Sequence, residues 1–156
     1  MNNTTIASLP HLHYPGFTQY SLIHQSMKHI EVVAAILTHS DKYLAVQRGP
    51  AKLDYIAHKW EFPGGKIEQG ETKEEALRRE ISEELHVELD TLEFVTTVEH
   101  SYPDFTLTMH AYLAPVSSTK IQLTEHIAKA WLTKDELATP DWAAADIPIV
   151  NALKQR

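Results

Sequence analysis

Residues 65–87 read GKIEQGETKEEALRREISEELHV, and their pattern decides how the chain folds. Within them Leu77, Ile81 and Leu85 recur every four residues, which lays one apolar stripe along an α-helix. Thr72 stands just before the pattern and Glu75 three positions later. That is a capping box, in which a hydroxyl and a carboxylate satisfy backbone N–H groups at the helix start. The spacing therefore predicts a helix over 73–85. Glu80 and Glu84 are four apart and Glu80 and Glu83 three apart, so the three carboxylates share a face. They span an arc of roughly 100° beside the apolar stripe, not opposite it. Carboxylates so placed repel one another unless positive charge lies among them. Such oxygen-rich clusters suit hard cations, Mg²⁺ or Mn²⁺. Taken alone, the spacing is better read as a solvated acidic face.

Outward from this helix, strand signals dominate. Residues 31–38 (EVVAAILT) are apolar and β-branched, a buried strand. His39, Ser40 and Asp41 make a turn, and 42–47 (KYLAVQ) return as the second arm of a hairpin. Residues 49–58 read as a loop, and Trp60 to Phe62 as a short strand ended by Pro63, Gly64 and Gly65. Further strands are expected at 92–98, 105–113 and 128–132. A short helix should open at Thr133 or Lys134, and an amphipathic one should span 144–154, interrupted early by Pro148. Strands and helices mix without a βαβ rhythm, which implies an α+β domain or a layered α/β/α sandwich. Residues 1–27 mix Asn, Thr, His, Pro and Gly without periodicity and read as a flexible extension. The domain proper is expected over 28–156, and Met27 is a plausible alternative start.

Composition narrows the function classes. At 156 residues and 43% hydrophobic content, one domain with one real core is expected. Monomer and homodimer both fit. No stretch approaches the roughly 20 apolar residues of a membrane helix. The first residues lack the basic start and apolar run of a secretory signal, so a cytoplasmic protein is expected. There is no cysteine, hence no thiolate nucleophile or zinc-thiolate site. A net charge of −7 argues against duplex nucleic acid as a partner. It is compatible with a free nucleotide whose phosphates are neutralised by metal. Ten histidines are scattered, with only His11 and His13 close together, and read as surface imidazoles.

The wider register converts the acidic face into a site. Gly65, Glu71, Arg79, Glu80, Ile81, Glu83, Glu84 and Val87 fall into the pattern G-x5-E-x7-R-E-U-x-E-E-x-x-U, U being bulky and aliphatic. This resembles the Nudix box, the loop–helix–loop motif of hydrolases of nucleoside diphosphate-linked compounds. One motif residue departs: the family has glycine where this chain has His86. A glycine there would supply a left-handed residue after the helix, which histidine adopts at a cost of about 1 kcal/mol. The run Trp60-Glu61-Phe62-Pro63-Gly64-Gly65-Lys66-Ile67-Glu68, the EVVAAIL segment, the Gln47-Arg48 pair and the ADIPIVNALK segment resemble the MutT-type and CTP pyrophosphohydrolase-like members.

The resemblance implies a Nudix-type α/β/α sandwich with a mixed central sheet. It implies a metal-dependent nucleoside triphosphate pyrophosphohydrolase that yields monophosphate and pyrophosphate. Glu80, Glu83 and Glu84 would be ligands of Mg²⁺ or Mn²⁺, joined by the Gly65 carbonyl. Glu71 would support the site and Arg79 would pair with it. Glu125 is the expected general base or ligand outside the box, with a plain surface loop residue as the alternative. Arg48 is a phosphate contact or a structural ion pair. Asp146 either faces the base or caps the last helix, and Phe62 and Tyr102 either stack on the base or fill the core. A base-facing carboxylate suits the amine of cytosine; protonated, it would also suit an oxidised purine such as 8-oxo-dGTP. Other Nudix substrates (ADP-ribose, dinucleoside polyphosphates), a non-catalytic nucleotide-binding regulator and a purely structural acidic helix are the competing readings.

Overall fold

The computed structural model describes residues 27–156; the expected extension, with His11 and His13, lies outside them apart from Met27. Ten elements follow in order: β1 (Lys28–His39), β2 (Lys42–Gln47), β3 (Trp60–Glu61), β4 (Gly64–Lys66), α1 (Lys73–Leu85), β5 (Glu93–Ser101), β6 (Phe105–Pro115), β7 (Ala128–Leu132), a 3₁₀ turn (Asp135–Ala138) and α2 (Ile147–Gln155). The strands form one mixed sheet with spine β3-β2-β1-β6-β5; β4 adds to β1 and β7 to β2. The β1–β6 pair is parallel from Lys28 opposite Phe105 to Thr38 opposite Pro115, and the other pairs of strands are antiparallel.

Strand alternation assigns the two faces. Val33, Ala35 and Leu37 of β1, with Leu44 and Val46 of β2, pack against Ala76, Leu77, Ile81 and Leu85 of α1. Ala34, Ile36 and Ala45 point the other way, toward Leu137, Ile149, Val150 and Leu153. The result is the expected α/β/α sandwich.

The feature that positions the site is a split in the sheet. The β1–β2 hairpin closes on Ser40 and Asp41, both at positive φ (47° and 60°), as a two-residue turn requires. Only Thr38–Tyr43 and His39–Lys42 then pair before the strands diverge. The chain bridges the gap: Trp60 and Glu61 pair with β2, and Gly64–Lys66 pair with β1. Gly64 cannot be replaced without backbone movement, because a Cβ there would lie 2.0 Å from the Val33 carbonyl oxygen.

Several expectations need correction. Gly64 and Gly65 do not end a strand over Trp60–Phe62; they re-enter the sheet as β4. The strands β1, β5 and β6 extend beyond their expected limits because pairing with neighbours, more than local composition, sets their ends. Pro148 does not interrupt the last helix. It sits in the first turn, where its missing N–H costs nothing, so α2 starts at Ile147 and not at 144. The short helix before it is a 3₁₀ turn. The capping box is as expected: Glu75 N–H donates to Thr72 Oγ1 (3.2 Å) and Thr72 N–H to Glu75 Oε2 (2.8 Å).

His86 takes the left-handed cap at φ 56°, ψ 40°, its N–H donating to Ser82 O. Replacing it by glycine removes the strain. H86G should raise stability by about 0.5–1 kcal/mol, seen as a Tm increase of a few degrees in thermal melts. An unchanged or lower Tm would show that the histidine is unstrained there.

Candidate active site

The site gathers around the loop between β4 and α1. Glu71 precedes the helix and Arg79 lies two turns into it; the guanidinium donates to both Glu71 oxygens, from Nε at 2.6 Å and Nη2 at 2.9 Å. Arg79 also donates to Glu80 Oε1 (2.8 Å) and to the Lys66 carbonyl (3.0 Å). It therefore clamps the loop to the helix, as expected. The Arg79 guanidinium, helped by the Glu68 N–H, holds the Glu71 carboxyl down at about 2, and the same pairing raises Arg79. Gly65 is pressed against Glu80: a Cβ there would lie 2.3 Å from its carboxylate. A side chain at this position would displace the Glu80 carboxylate.

The three box carboxylates have different surroundings. Glu84 is buried, Glu80 is 15% exposed and Glu83 63% exposed. Glu83 points along the rim, 3.7 Å from Arg79 Nη1. Burial, then Glu125, Glu80 and Glu61, push the Glu84 carboxyl up to about 8. Its Oε2 is buried and has no hydrogen-bond partner among the described residues.

Glu125 arrives from a loop that docks on the end of α1. Thr124 N–H (3.1 Å) and Oγ1 (3.0 Å) both donate to the Glu84 carbonyl, one of the acceptors a helix C-terminus leaves free. The neighbouring Glu125 is thereby brought against Glu84.

A cavity of about 740 Å³ joins these groups to the other face of the sheet through the split. It is lined by Arg48, Glu61, Phe62, Gly65, Glu80, Glu84, Tyr102, Glu125 and Asp146, with an apolar wall of Ile30, Val32, Leu107 and Met109. Every expected substrate-binding residue thus lines one space; Glu71, Arg79 and Glu83 frame it from outside. A shallower depression beside the start of α1, lined by Glu31, Ile67, Thr72 and Tyr112 among others, gathers no such convergent groups.

The expected substrate-binding residues make the following contacts. Asp146 does not cap α2 with its side chain. Its Oδ1 accepts from Phe62 N–H at 2.8 Å across the split, and burial raises its carboxyl well above the usual range. Phe62 stacks on Trp142 (centroids 4.8 Å apart) and Tyr102 on Tyr55 (5.3 Å). Both rings are buried and still line the cavity. Arg48 donates to Glu61 Oε2 from Nε (3.1 Å) and Nη2 (2.9 Å). The surface-imidazole reading fails for His110 and His126. His110 is buried between Thr97 and Glu31, and the side chain of half-buried His126 is covered where it meets Glu61. Glu61, Thr124 and His126 were not singled out as site residues, since no spacing rule connects them to the helix.

Hard-cation chemistry fits this donor set. Glu84 Oε2 is a buried oxygen that meets no donor among the described residues and has carboxylates around it. That arrangement is costly unless a cation joins it. Among the described residues no three Asp, Glu or His side chains already converge at ligand spacing, because Glu80 is held by Arg79 and Glu83 faces outward.

A carboxyl at about 8 in the folded protein, against 4.5 ordinarily, binds its proton more tightly when folded. Its penalty is therefore absent below about pH 4.5 and grows to full size as pH rises through about 8. In chelator, Glu84→Gln should be more stable than the parent at pH 8 by on the order of 3 kcal/mol. The gap should close toward pH 5. Urea unfolding at both pH values checks this, and a gap that does not change with pH refutes it.

Comparison with known proteins agrees with the geometry. The Nudix domain model matches residues 27–153. The CTP pyrophosphohydrolase of Escherichia coli is 40% identical over 126 residues, covering 81% of this chain and 92% of that protein. The 8-oxo-dGTP diphosphatase of Proteus vulgaris is 34% identical over 98 residues, 63% of this chain and 85% of that one. The crystal structure of a MutT protein from Methanosarcina mazei superposes with a TM-score of 0.75, at 19% identity, over 83% of this chain and 96% of that one. With the box, the clamp and the sandwich in place, the chain belongs to the Nudix family and is a Nudix hydrolase.

Proposed function

We propose that the chain hydrolyses a nucleoside triphosphate between its α and β phosphates, with Mg²⁺ or Mn²⁺ as cofactor. The observation that carries this reading is the cavity through the sheet split, which places a carboxylate cluster and Arg48 in one space with an apolar wall and Asp146. A polyanion needs the first and a nucleobase the second. The relatives named for CTP and 8-oxo-dGTP hydrolysis support the substrate class.

Glu80, Glu83, Glu84, Glu125 and the Gly65 carbonyl would hold the cation. When bound, it offsets phosphate charge and lowers the pKa of the attacking water. The protein's own part is positioning. Arg48, held by Glu61 through Nε and Nη2, offers its other N–H groups to a phosphate oxygen. Arg79 keeps the loop and Glu80 in register. Glu125, or a box glutamate released from its neighbours, accepts the proton of the attacking water.

For the base, cytidine nucleotides (CTP and dCTP) are the first reading, since an ionised Asp146 would accept from the cytosine amine. A second reading has its own observation: burial raises Asp146, and a protonated carboxyl donates as well as accepts, which suits 8-oxo-dGTP. Phe62 and Tyr102 would bound the ring.

A pyrophosphate-release assay over CTP, dCTP, 8-oxo-dGTP, the unmodified purine triphosphates and ADP-ribose tests this. Monophosphate plus pyrophosphate should form from cytidine or oxidised purine nucleotides, only with divalent metal. Glu83→Gln should lower kcat by ~10²-fold or more with Tm nearly unchanged. Orthophosphate as the product, or a normal rate for the variant, would overturn the reading.

A further inference from the structure

One buried polar side chain touches the proposed machinery without a role in it. His126 has a side chain only 6% exposed. Its Nε2 lies 3.0 Å from Glu61 Oε1, and its Nδ1 is buried with no partner among the described residues. An ionised carboxylate only accepts, so Nε2 carries the proton and donates it. The other Glu61 oxygen accepts both hydrogen bonds from Arg48. Imidazole, carboxylate and guanidinium thus form one chain.

The strand order holds the three in line. Glu61 lies in β3 on one side of β2, and His126 precedes β7 on the other; Arg48 follows β2 between them. Backbone hydrogen bonds fix the spacing: Arg48 N–H to Lys59 O at 2.9 Å, and Ile127 N–H to Gln47 O at 3.0 Å.

Two magnitudes separate this arrangement from simple packing. A buried nitrogen without a partner costs roughly 1–3 kcal/mol, which an apolar side chain would not incur. Arg48 is 46% exposed, and an exposed ion pair alone, worth about 0–1 kcal/mol, does not hold a long side chain in one direction. Fixing the acceptor from behind does, because the fork of Arg48 then meets a carboxylate that cannot rotate.

We propose that His126 is a positioning residue for phosphate binding: it locks Glu61, and through Glu61 it aims Arg48 into the cavity. The proposal rests on Arg48 contacting phosphate in the reaction inferred above.

The test is binding of the α,β-methylene analogue of CTP, with Mg²⁺, to the full chain by calorimetry. His126→Ala and Arg48→Ala should each weaken Kd by about 10-fold, and the double variant by about 10-fold rather than ~100-fold, because they break one interaction. His126→Gln keeps an N–H donor and should bind nearly as the parent does, whereas His126→Leu should bind like Arg48→Ala. This pair decides the matter if the alanine variant does not fold. Multiplying effects in the double variant, or equal binding by the Gln and Leu variants, would overturn the proposal. Tight analogue binding without cleavage of CTP would remove the proposed reaction and leave the binding cycle as support for His126.

Discussion

The divergence of β1 from β2 is the constraint on which the rest of the molecule depends. Two strands that separate after two paired positions leave open edges, and their N–H and C=O groups must be satisfied from elsewhere. The segment from Trp60 to Lys66 does this by pairing first with β2 and then with β1. Pro63 takes the Ala35 N–H at 2.7 Å, and Asp146 takes the Phe62 N–H in mid-crossing. The crossing leaves a passage through the sheet, so groups from both faces line one cavity. α1 supplies carboxylates on one side, while Asp146 and the apolar wall come from the other.

Charge is then arranged around that passage at a cost to stability. Arg79 neutralises Glu71 and Glu80, and among the described residues no cationic side chain pairs with Glu84. A buried carboxyl among three others raises the energy of the metal-free fold. The same arrangement is a preorganised attraction for a hard cation, and stability and function oppose one another at this residue. The surrounding structure absorbs the penalty through the capping box, the Arg79 clamp and the two apolar layers.

Much of this was legible before folding. The capping box, the Leu77/Ile81/Leu85 stripe, the limits of β2 and β7 and the left-handed His86 follow from local backbone preferences, which spacing encodes directly. The pairing of Arg79 with Glu71 came from family resemblance, and the hydrogen bonds show it; Arg48, Phe62, Tyr102, Glu125 and Asp146 were named one by one, and the fold lines them around one cavity. What stayed hidden was non-local. Gly64 and Gly65 look like a strand end, and Pro148 like an interruption, until their pairing partners are known. His110 and His126 look like surface residues because nothing nearby in sequence marks the carboxylates that bury them.

The sequence by itself determined the acidic helix, its caps and its register with the preceding loop, because those interactions span only a few residues. Tertiary structure alone decided which carboxylate is buried, which cation each one meets, and that Asp146 bonds a backbone N–H 84 positions away in the chain. The reason is physical. Helix periodicity places three carboxylates on one face, but only packing against the split sheet and the 121–127 loop removes water from Glu84 and leaves Glu83 exposed.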